Sequence, residues 1–170
     1  NMDDKVFPPK TMLAAAGRYK GSLVSPEEAV AAEERSGDIR RIRTAKIYAA
    51  YAKHLQDAGA MDFDDLIYYT VRLLQDEPDV LAYYQKKFRY VLIDEYQDTN
   101  HLQYLFAALM ASGSRNICVV GDDDQSIYKF RGATIENILS FEKQYPDARV
   151  IRLEQNYRST GNILAAANAV

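Results

Sequence analysis

The chain lacks several features that whole classes of protein require. None of its eight glycines is followed by lysine, so the phosphate-binding sequence G-x-x-x-x-G-K-[ST] is absent from these 170 residues. A single cysteine, Cys118, excludes a disulfide framework, and its place in an apolar run predicts a buried core residue. No apolar stretch approaches the roughly 20 residues that span a bilayer, and the N-terminus does not resemble a signal peptide. We therefore expect a soluble, cytoplasmic protein with no membrane partner.

The overall charge does not decide whether the protein binds nucleic acid. The net charge is −3, and local patches rather than totals bind phosphate. With 48% hydrophobic and 26% charged residues, the chain has the composition of a globular protein, long enough for one domain or two small ones.

Helical patterns dominate the chain up to about residue 88. Ser25, Pro26 and Glu28 form a helix start, and an apolar stripe over residues 39–55 predicts a long helix that ends near Gly59. Asp62 is placed to cap a further helix, and Pro78 to open another. In this last helix the side chains expected to face inward are Val80, Leu81, Tyr84 and Phe88. Residues 7–22 show no clear period, which favours loops or short helices.

After residue 88, short β-branched runs alternate with helical stretches. Strands are predicted at residues 90–94, 117–121 and 150–153, each buried on both faces, with helices near 102–110 and 135–145 and from about 160. This alternation predicts a parallel sheet in an α/β fold, with functional residues at the carboxyl ends of its strands. The side chains expected at that edge are Asp94, Glu95, Asp122 and Gln125.

The polar residues that follow these strands suit nucleotide hydrolysis, although each also has a simpler interpretation. Asp94 and Glu95 could supply a Mg²⁺ ligand and a general base, or could form a solvated acidic turn. Tyr128 and Phe130 could stack on bases or lie in the core.

Four strings of residues carry a resemblance to a known family. They are DEYQDTN at 94–100, GDDDQSIY at 121–128, FRGA at 130–133 and QNYRST at 155–160. Together they closely resemble motifs II, III and IV of the superfamily 1 DNA helicases related to UvrD, PcrA and Rep. Residues 61–67, MDFDDLI, resemble the stretch that precedes motif II in that family.

The resemblance implies a particular fold and domain organisation. We expect an α/β protein with a partial RecA-like parallel sheet core, a P-loop NTPase fold lacking the P-loop strand, preceded by a helical subdomain. Residues 1–88 would form a helical 1B-like subdomain, and residues 89–170 the second half of the RecA-like 1A ATPase core. The partially complete sheet would then be open, rearranged or paired through its edges.

For the chemistry, the resemblance implies ATP and Mg²⁺ as cofactors in the intact parent protein. Asp94 would bind the metal and Glu95 would act as catalytic base. Gln125 would sense the γ-phosphate, which a neutral amide can do by hydrogen bonding. Arg158 would contact the same phosphate and stabilise charge during hydrolysis. Tyr157 would stack on the adenine base.

For DNA, the resemblance implies a platform of Tyr128, Phe130 and Arg131 beneath a single strand. Trp is usual in the family at the position of Phe130, so stacking would be weaker here. Phe63 would lie near the DNA path, although the acidic residues around it also fit ordinary helix capping.

These expectations describe a fragment of an ATP-dependent DNA helicase with 3′-to-5′ polarity, acting in repair or replication. Its partners would be single-stranded DNA, junctions of single- and double-stranded DNA, and the remainder of the helicase chain, including the P-loop segment and the second core domain. The fragment alone is expected to be inactive because it lacks the P-loop. The alternatives are a stand-alone DNA- or protein-binding module and part of a helicase–nuclease of recombination.

Overall fold

A computed structural model describes residues 5–122, 136–167 and 169. These residues form two compact units, Asn1–Ser140 and Phe141–Val170. The first unit contains helices α1 (Pro9–Gly21), α2 (Pro26–Ser36), α3 (Ile39–Asp57), α4 (Phe63–Asp76) and α5 (Pro78–Lys87), strand β1 (Val91–Ile93), a 3₁₀ helix (Tyr96–Asp98), α6 (His101–Ala111), strand β2 (Ile117–Val119) and α7 (Glu136–Leu139). The second contains α8 (Phe141–Gln144) and α9 (Gly161–Ala167). Within the described ranges, no helix is long and apolar enough to cross a membrane.

Local hydrogen bonding explains where the first helices begin and end. Ser25 and Glu28 form a reciprocal capping box at the start of α2, and Asp62 and Asp65 form another at the start of α4. Helix α3 ends just before Gly59, which adopts a positive φ of 61°. The predicted boundaries at these three places are confirmed.

Helix α1 is a single helix where loops or short helices were predicted. Its buried positions are Ala15, Ala16 and Lys20. Because the inward face consists of small residues and one lysine, it produces no apolar period that sequence reading can detect. Pro9 opens the helix at a position where its missing N–H costs no hydrogen bond.

Lys20 joins α1 to the beginning of α4. Its Nζ lies 2.7 Å from Oδ2 of Asp62 and 2.7 Å from Oδ1 of Asp65. The hydroxyl of Tyr51, on α3, donates to the same Asp62 oxygen over 2.9 Å. The Lys20 and Asp65 side chains are 2% and 5% exposed and that of Asp62 is 27% exposed, so the lysine and one of its two partners are almost completely removed from solvent. This ion cluster fixes the position of the α4 N-terminus relative to two other helices.

The helical part packs directly onto the α/β part. Tyr68 and Val71 of α4 form one buried cluster with Leu102 of α6. The predicted boundary near residue 88 therefore lies inside one compact unit, and the assignment of the two sides to particular subdomains stays a prediction.

The sheet is parallel, as predicted, and has two strands among the described residues. Val91 pairs with Ile117 and Ile93 with Val119, and α6 connects the strands. The prediction that both faces are buried is wrong: Leu92 is 78% exposed and Cys118 is also exposed. In both strands the middle side chain is exposed and its two neighbours are half-buried. This alternation arises because α6 packs against one face of β1, while no described element covers the opposite face.

Two further predictions about packing are wrong. Residues 150–153 form no strand, and Leu153 is 84% exposed, because no described residue pairs with this run. In α5, Val80 and Leu81 are half-buried, but Tyr84 and Phe88 are exposed and stack on each other with ring centroids 6.1 Å apart.

The predicted helix at 135–145 consists of the short helices α7 and α8.

Candidate functional site

The parallel pairing of β1 and β2 brings their carboxyl ends to one edge of the sheet. Asp94 and Glu95 follow β1 directly, and Asp122 follows β2 after a two-residue extension. The backbone N–H of Val120 donates to the carbonyl of Ile93 over 2.8 Å, which continues the ladder up to this edge. The predicted clustering of these carboxylates at the strand ends is therefore consistent with the register of the sheet.

The chain turns sharply at Glu95. This residue has φ 51° and ψ 43°, a left-handed conformation that costs a non-glycine residue on the order of 1 kcal/mol. Immediately afterwards the N–H of Tyr96 donates to the carbonyl of Val120 over 2.9 Å, and the N–H of Asp98 donates to the carbonyl of Glu95. These bonds hold the strained turn between β1 and the 3₁₀ helix.

Asp94 and Glu95 present exposed carboxylates at this turn. One oxygen of Asp94, Oδ1, accepts from the backbone N–H of Glu95 over 2.9 Å. Carboxylate oxygens are the ligand type that Mg²⁺ prefers, and Mg²⁺ keeps several waters and uses few protein ligands. No group of three or more His, Cys, Asp or Glu side chains suited to a metal occurs in the described part of the chain. The residues fit a Mg²⁺ ion held by Asp94 together with water and substrate, rather than by a protein cage.

A buried amide connects Glu95 to the residues that follow β2. The side chain of Gln97 donates through Nε2 to Oε2 of Glu95 over 2.7 Å. Its Oε1 accepts from the backbone N–H of Asp122 over 3.0 Å. Gln97 is 1% exposed, in contrast to the carboxylate that it binds. Sequence reasoning assigned no role of its own to Gln97, which appeared only within the string DEYQDTN. Its contacts could not be predicted because they depend on the left-handed turn at Glu95.

Hydrogen bonds from α7 stabilise the end of the 3₁₀ helix. Asn137, which is buried, donates from Nδ2 to the carbonyl oxygen of Thr99 over 3.0 Å and contacts its Oγ1 at 3.1 Å. The Thr99 hydroxyl in turn donates to the carbonyl of Tyr96 over 2.6 Å. Sequence reasoning missed Asn137, since a lone amide in a short helix carries no recognisable signal.

Gln125, Tyr128, Phe130 and Arg131 lie outside the described residues. Their predicted roles stay predictions from the resemblance.

Tyr157 and Arg158 belong to the second unit. The side chain of Asn156 accepts from the backbone N–H groups of Arg158 and Ser159, both at 2.9 Å, and so shapes the turn that carries them. Tyr157 is 92% exposed, as a ring that stacks on a base would need to be before binding. Their roles toward a nucleotide stay predictions.

Phe63 is the first residue of α4 and is 78% exposed. Met61 and Leu66, which flank it in sequence, are also exposed. The capping interpretation of the acidic residues is confirmed for Asp62 and Asp65, which serve as cap and partner. It leaves the ring of Phe63 at the surface, where contact with DNA stays a prediction.

Comparison with known proteins gives a consistent result. Residues 1–146 match the family model of the UvrD/REP helicase N-terminal domain. The whole chain is 49% identical to an ATP-dependent DNA helicase PcrA of Staphylococcus epidermidis and 50% identical to one of Staphylococcus aureus. It spans 23% of the length of each of these relatives. The family-model match and the sequence identity show that the chain belongs to the UvrD/Rep helicase family.

Proposed function

We propose that these residues form part of an ATP-dependent DNA helicase that couples ATP hydrolysis to 3′-to-5′ movement on single-stranded DNA and to duplex unwinding. The proposed setting is DNA repair or replication in the cytoplasm. The observation that carries the proposal is the edge of the β1–β2 sheet, where Asp94 and Glu95 are exposed on a turn fixed by hydrogen bonds from Gln97 to Glu95 and from Tyr96 to Val120.

The two carboxylates suit different tasks. Asp94 would contribute an oxygen to Mg²⁺, which when bound neutralises charge on the transferred phosphate. Glu95 would accept the proton of the attacking water, and its hydrogen bond from Gln97 leaves Oε1 available for that contact. We assign phosphate contacts to Gln125 and Arg158, base stacking on adenine to Tyr157, and contact with the DNA strand to Tyr128, Phe130, Arg131 and Phe63.

The proposal includes an incomplete site in the 170-residue chain. No glycine is followed by lysine, so the phosphate-binding loop would have to come from elsewhere in a longer protein. The relatives, which are more than four times as long by the 23% coverage, are consistent with such a partner segment. We therefore expect no useful ATP turnover by this chain alone.

The test is single-strand-stimulated ATP hydrolysis by the full-length protein and by the 170-residue chain, each with Glu95→Gln. In the full-length protein, Glu95→Gln should lower kcat by about 10²–10⁴-fold, the usual contribution of a general base. Glu34→Gln, which removes an exposed carboxylate on α2, is the matched control and should leave kcat unchanged. A Glu95→Gln protein with full activity would refute the role of Glu95, and turnover by the short chain would refute the incomplete site.

The alternatives predict other outcomes in the same experiments. A stand-alone binding module would bind DNA without ATP turnover in any form of the protein. A helicase–nuclease would degrade DNA as well as unwind it. The presence of Asp94 and Glu95 on an ordered turn favours the hydrolase, because a binding module has no need for a metal ligand beside a base.

A further inference from the structure

We infer that Gln97 is a positioning residue that holds the Glu95 carboxylate in place and joins it to the backbone that follows β2, at Asp122. The inference rests on the proposed function, since it assigns the orientation of the proposed base. It concerns a different residue, however, and can fail while the proposed function stands.

One amide serves both contacts. Its NH₂ group donates to Oε2 of Glu95 over 2.7 Å, and its carbonyl oxygen accepts from the N–H of Asp122 over 3.0 Å. An amide side chain supplies both a donor toward a carboxylate and, through its carbonyl oxygen, an acceptor toward a backbone N–H. A glutamate at this position would keep the acceptor but place a second carboxylate against Glu95.

The amide itself cannot move freely. Gln97 is 1% exposed. Its Oε1 packs so closely against Gly121 that a Cβ added to this glycine would lie only 2.7 Å from it. The N–H of Tyr96 ties the 3₁₀ helix that carries Gln97 to Val120, directly after β2, and Thr99 and Asn137 tie it to α7. The donor that reaches Glu95 is therefore fixed by its packing before any ligand arrives.

The fixed amide donor orients the carboxylate of Glu95. An exposed glutamate side chain populates several rotamers, and a general base must point at one water. The bond from Gln97 selects one orientation of the carboxylate at the proposed site. Because the other end of the amide binds Asp122, the orientation of Glu95 depends on the backbone that leads in sequence to Gln125.

A purely structural role for Gln97 would affect stability but not the pH dependence of turnover. The test therefore uses Gln97→Glu and Gln97→Met in the full-length protein, with kcat and KM for ATP measured in the presence of single-stranded DNA. Gln103→Glu is the matched control, because it makes the same chemical change at an exposed capping residue whose acceptor is retained. Thermal unfolding of each variant measures stability separately.

We expect both Gln97 variants to lower kcat by about 10–100-fold near pH 8, with KM for ATP changed less than about threefold. For Gln97→Glu, part of the loss should be recovered toward about pH 6, because a protonated carboxyl donates a hydrogen bond as the amide does. Gln97→Met has no such group and should show no recovery. The control should match the unsubstituted protein at every pH.

A readout independent of turnover is amide hydrogen exchange at Asp122 in the 170-residue chain. Gln97→Met should accelerate this exchange, while Gln97→Glu should retain protection because its oxygen still accepts. Unchanged kcat in both variants, or equal losses with identical pH profiles, would overturn the inference. If the unsubstituted full-length protein hydrolyses no ATP, the proposed function fails first, and the role of Gln97 in hydrolysis fails with it.

Discussion

Replacing Lys20 with methionine should be one of the most destabilising single changes in the helical part of the chain. The substitution keeps the length and apolar stem of the side chain but removes its charge. In the folded protein that charge lies between Asp62 and Asp65, and Nζ is also 5.3 Å from the centroid of the Tyr51 ring. Methionine would leave both carboxylates without their common cation.

The expected magnitude follows from how deeply each partner is buried. Removing one member of a buried ion pair costs about 3–5 kcal/mol, because the remaining charge stays desolvated. The Asp65 side chain is 5% exposed, whereas that of Asp62 is 27% exposed and keeps its bond from Tyr51. Asp65 also keeps the backbone N–H of Asp62 as a donor. We therefore expect a loss near the lower end of that range, about 3 kcal/mol.

Urea denaturation followed by far-ultraviolet circular dichroism measures this loss. With an m-value of about 2 kcal/mol/M, the midpoint should fall by roughly 1.5 M. Lys53→Met is the matched control, because Lys53 pairs with Asp57 in an exposed i,i+4 arrangement and should lose only about 0.3–0.5 kcal/mol.

A second substitution separates loss of charge pairing from loss of packing. Adding Asp65→Asn to Lys20→Met removes the unpaired buried charge and should restore about 1–2 kcal/mol. The reasoning is refuted if Lys20→Met lowers the midpoint no more than Lys53→Met does. It is also refuted if the double variant is less stable than Lys20→Met alone.

Two further predictions concern glycine packing and alkaline stability. Gly121→Ala should cost about 1–3 kcal/mol in urea denaturation, because its Cβ would lie 2.7 Å from Oε1 of Gln97 and 2.8 Å from Cδ1 of Ile138. Gly17→Ala, whose Cβ would meet only the end of the Asp64 side chain, should be neutral or stabilise α1 by up to about 1 kcal/mol; equal losses at both glycines would contradict this. Burial, followed by the hydrogen bond to an aspartate, raises the pKa of Tyr51 to about 12. The stability that the protonated Tyr51 hydroxyl contributes should be complete below its ordinary pKa of 10.0 and should be lost as the pH rises through about 12. Tyr51→Phe should therefore lose less stability at alkaline pH than the unsubstituted protein, as measured by denaturation at several pH values. An unchanged pH profile would contradict the assignment.

Sequence reasoning succeeded where the deciding interactions are local. The capping boxes at Ser25 and Asp62 involve residues three positions apart, so the hydrogen bonds that start α2 and α4 can be anticipated from the sequence. The end of α3 before Gly59 follows in the same way from one residue's conformational freedom.

It failed where the deciding partner is distant in sequence. A β-branched run such as residues 150–153 has the composition of a strand, but a strand exists only where another strand pairs with it. Cys118 was predicted to be buried from its apolar neighbours, yet burial depends on whether an element covers that face of the sheet. The helix α1 was missed for a related reason, since its inward lysine is stable only beside aspartates 42 and 45 positions later.

The candidate site shows the same division. The types of residue at the end of β1 indicated a metal ligand and a base, and the parallel register places them beside the end of β2. The role of Gln97 depends on the left-handed backbone of Glu95, which no propensity predicts for a glutamate.

The strain at Glu95 also bears on how the site is prepared for its reaction. A conformation that costs on the order of 1 kcal/mol persists only if the surrounding bonds require it. Here the neighbouring N–H of Tyr96 binds the carbonyl of Val120, and the amide of Gln97 binds both the Glu95 carboxylate and the N–H of Asp122. Two of these bonds, those to Val120 and Asp122, end on residues that follow β2, so a displacement there would alter the backbone after Glu95 and, through Gln97, its carboxylate. We therefore expect a shift of the Asp122 backbone to change the orientation of the Glu95 carboxylate.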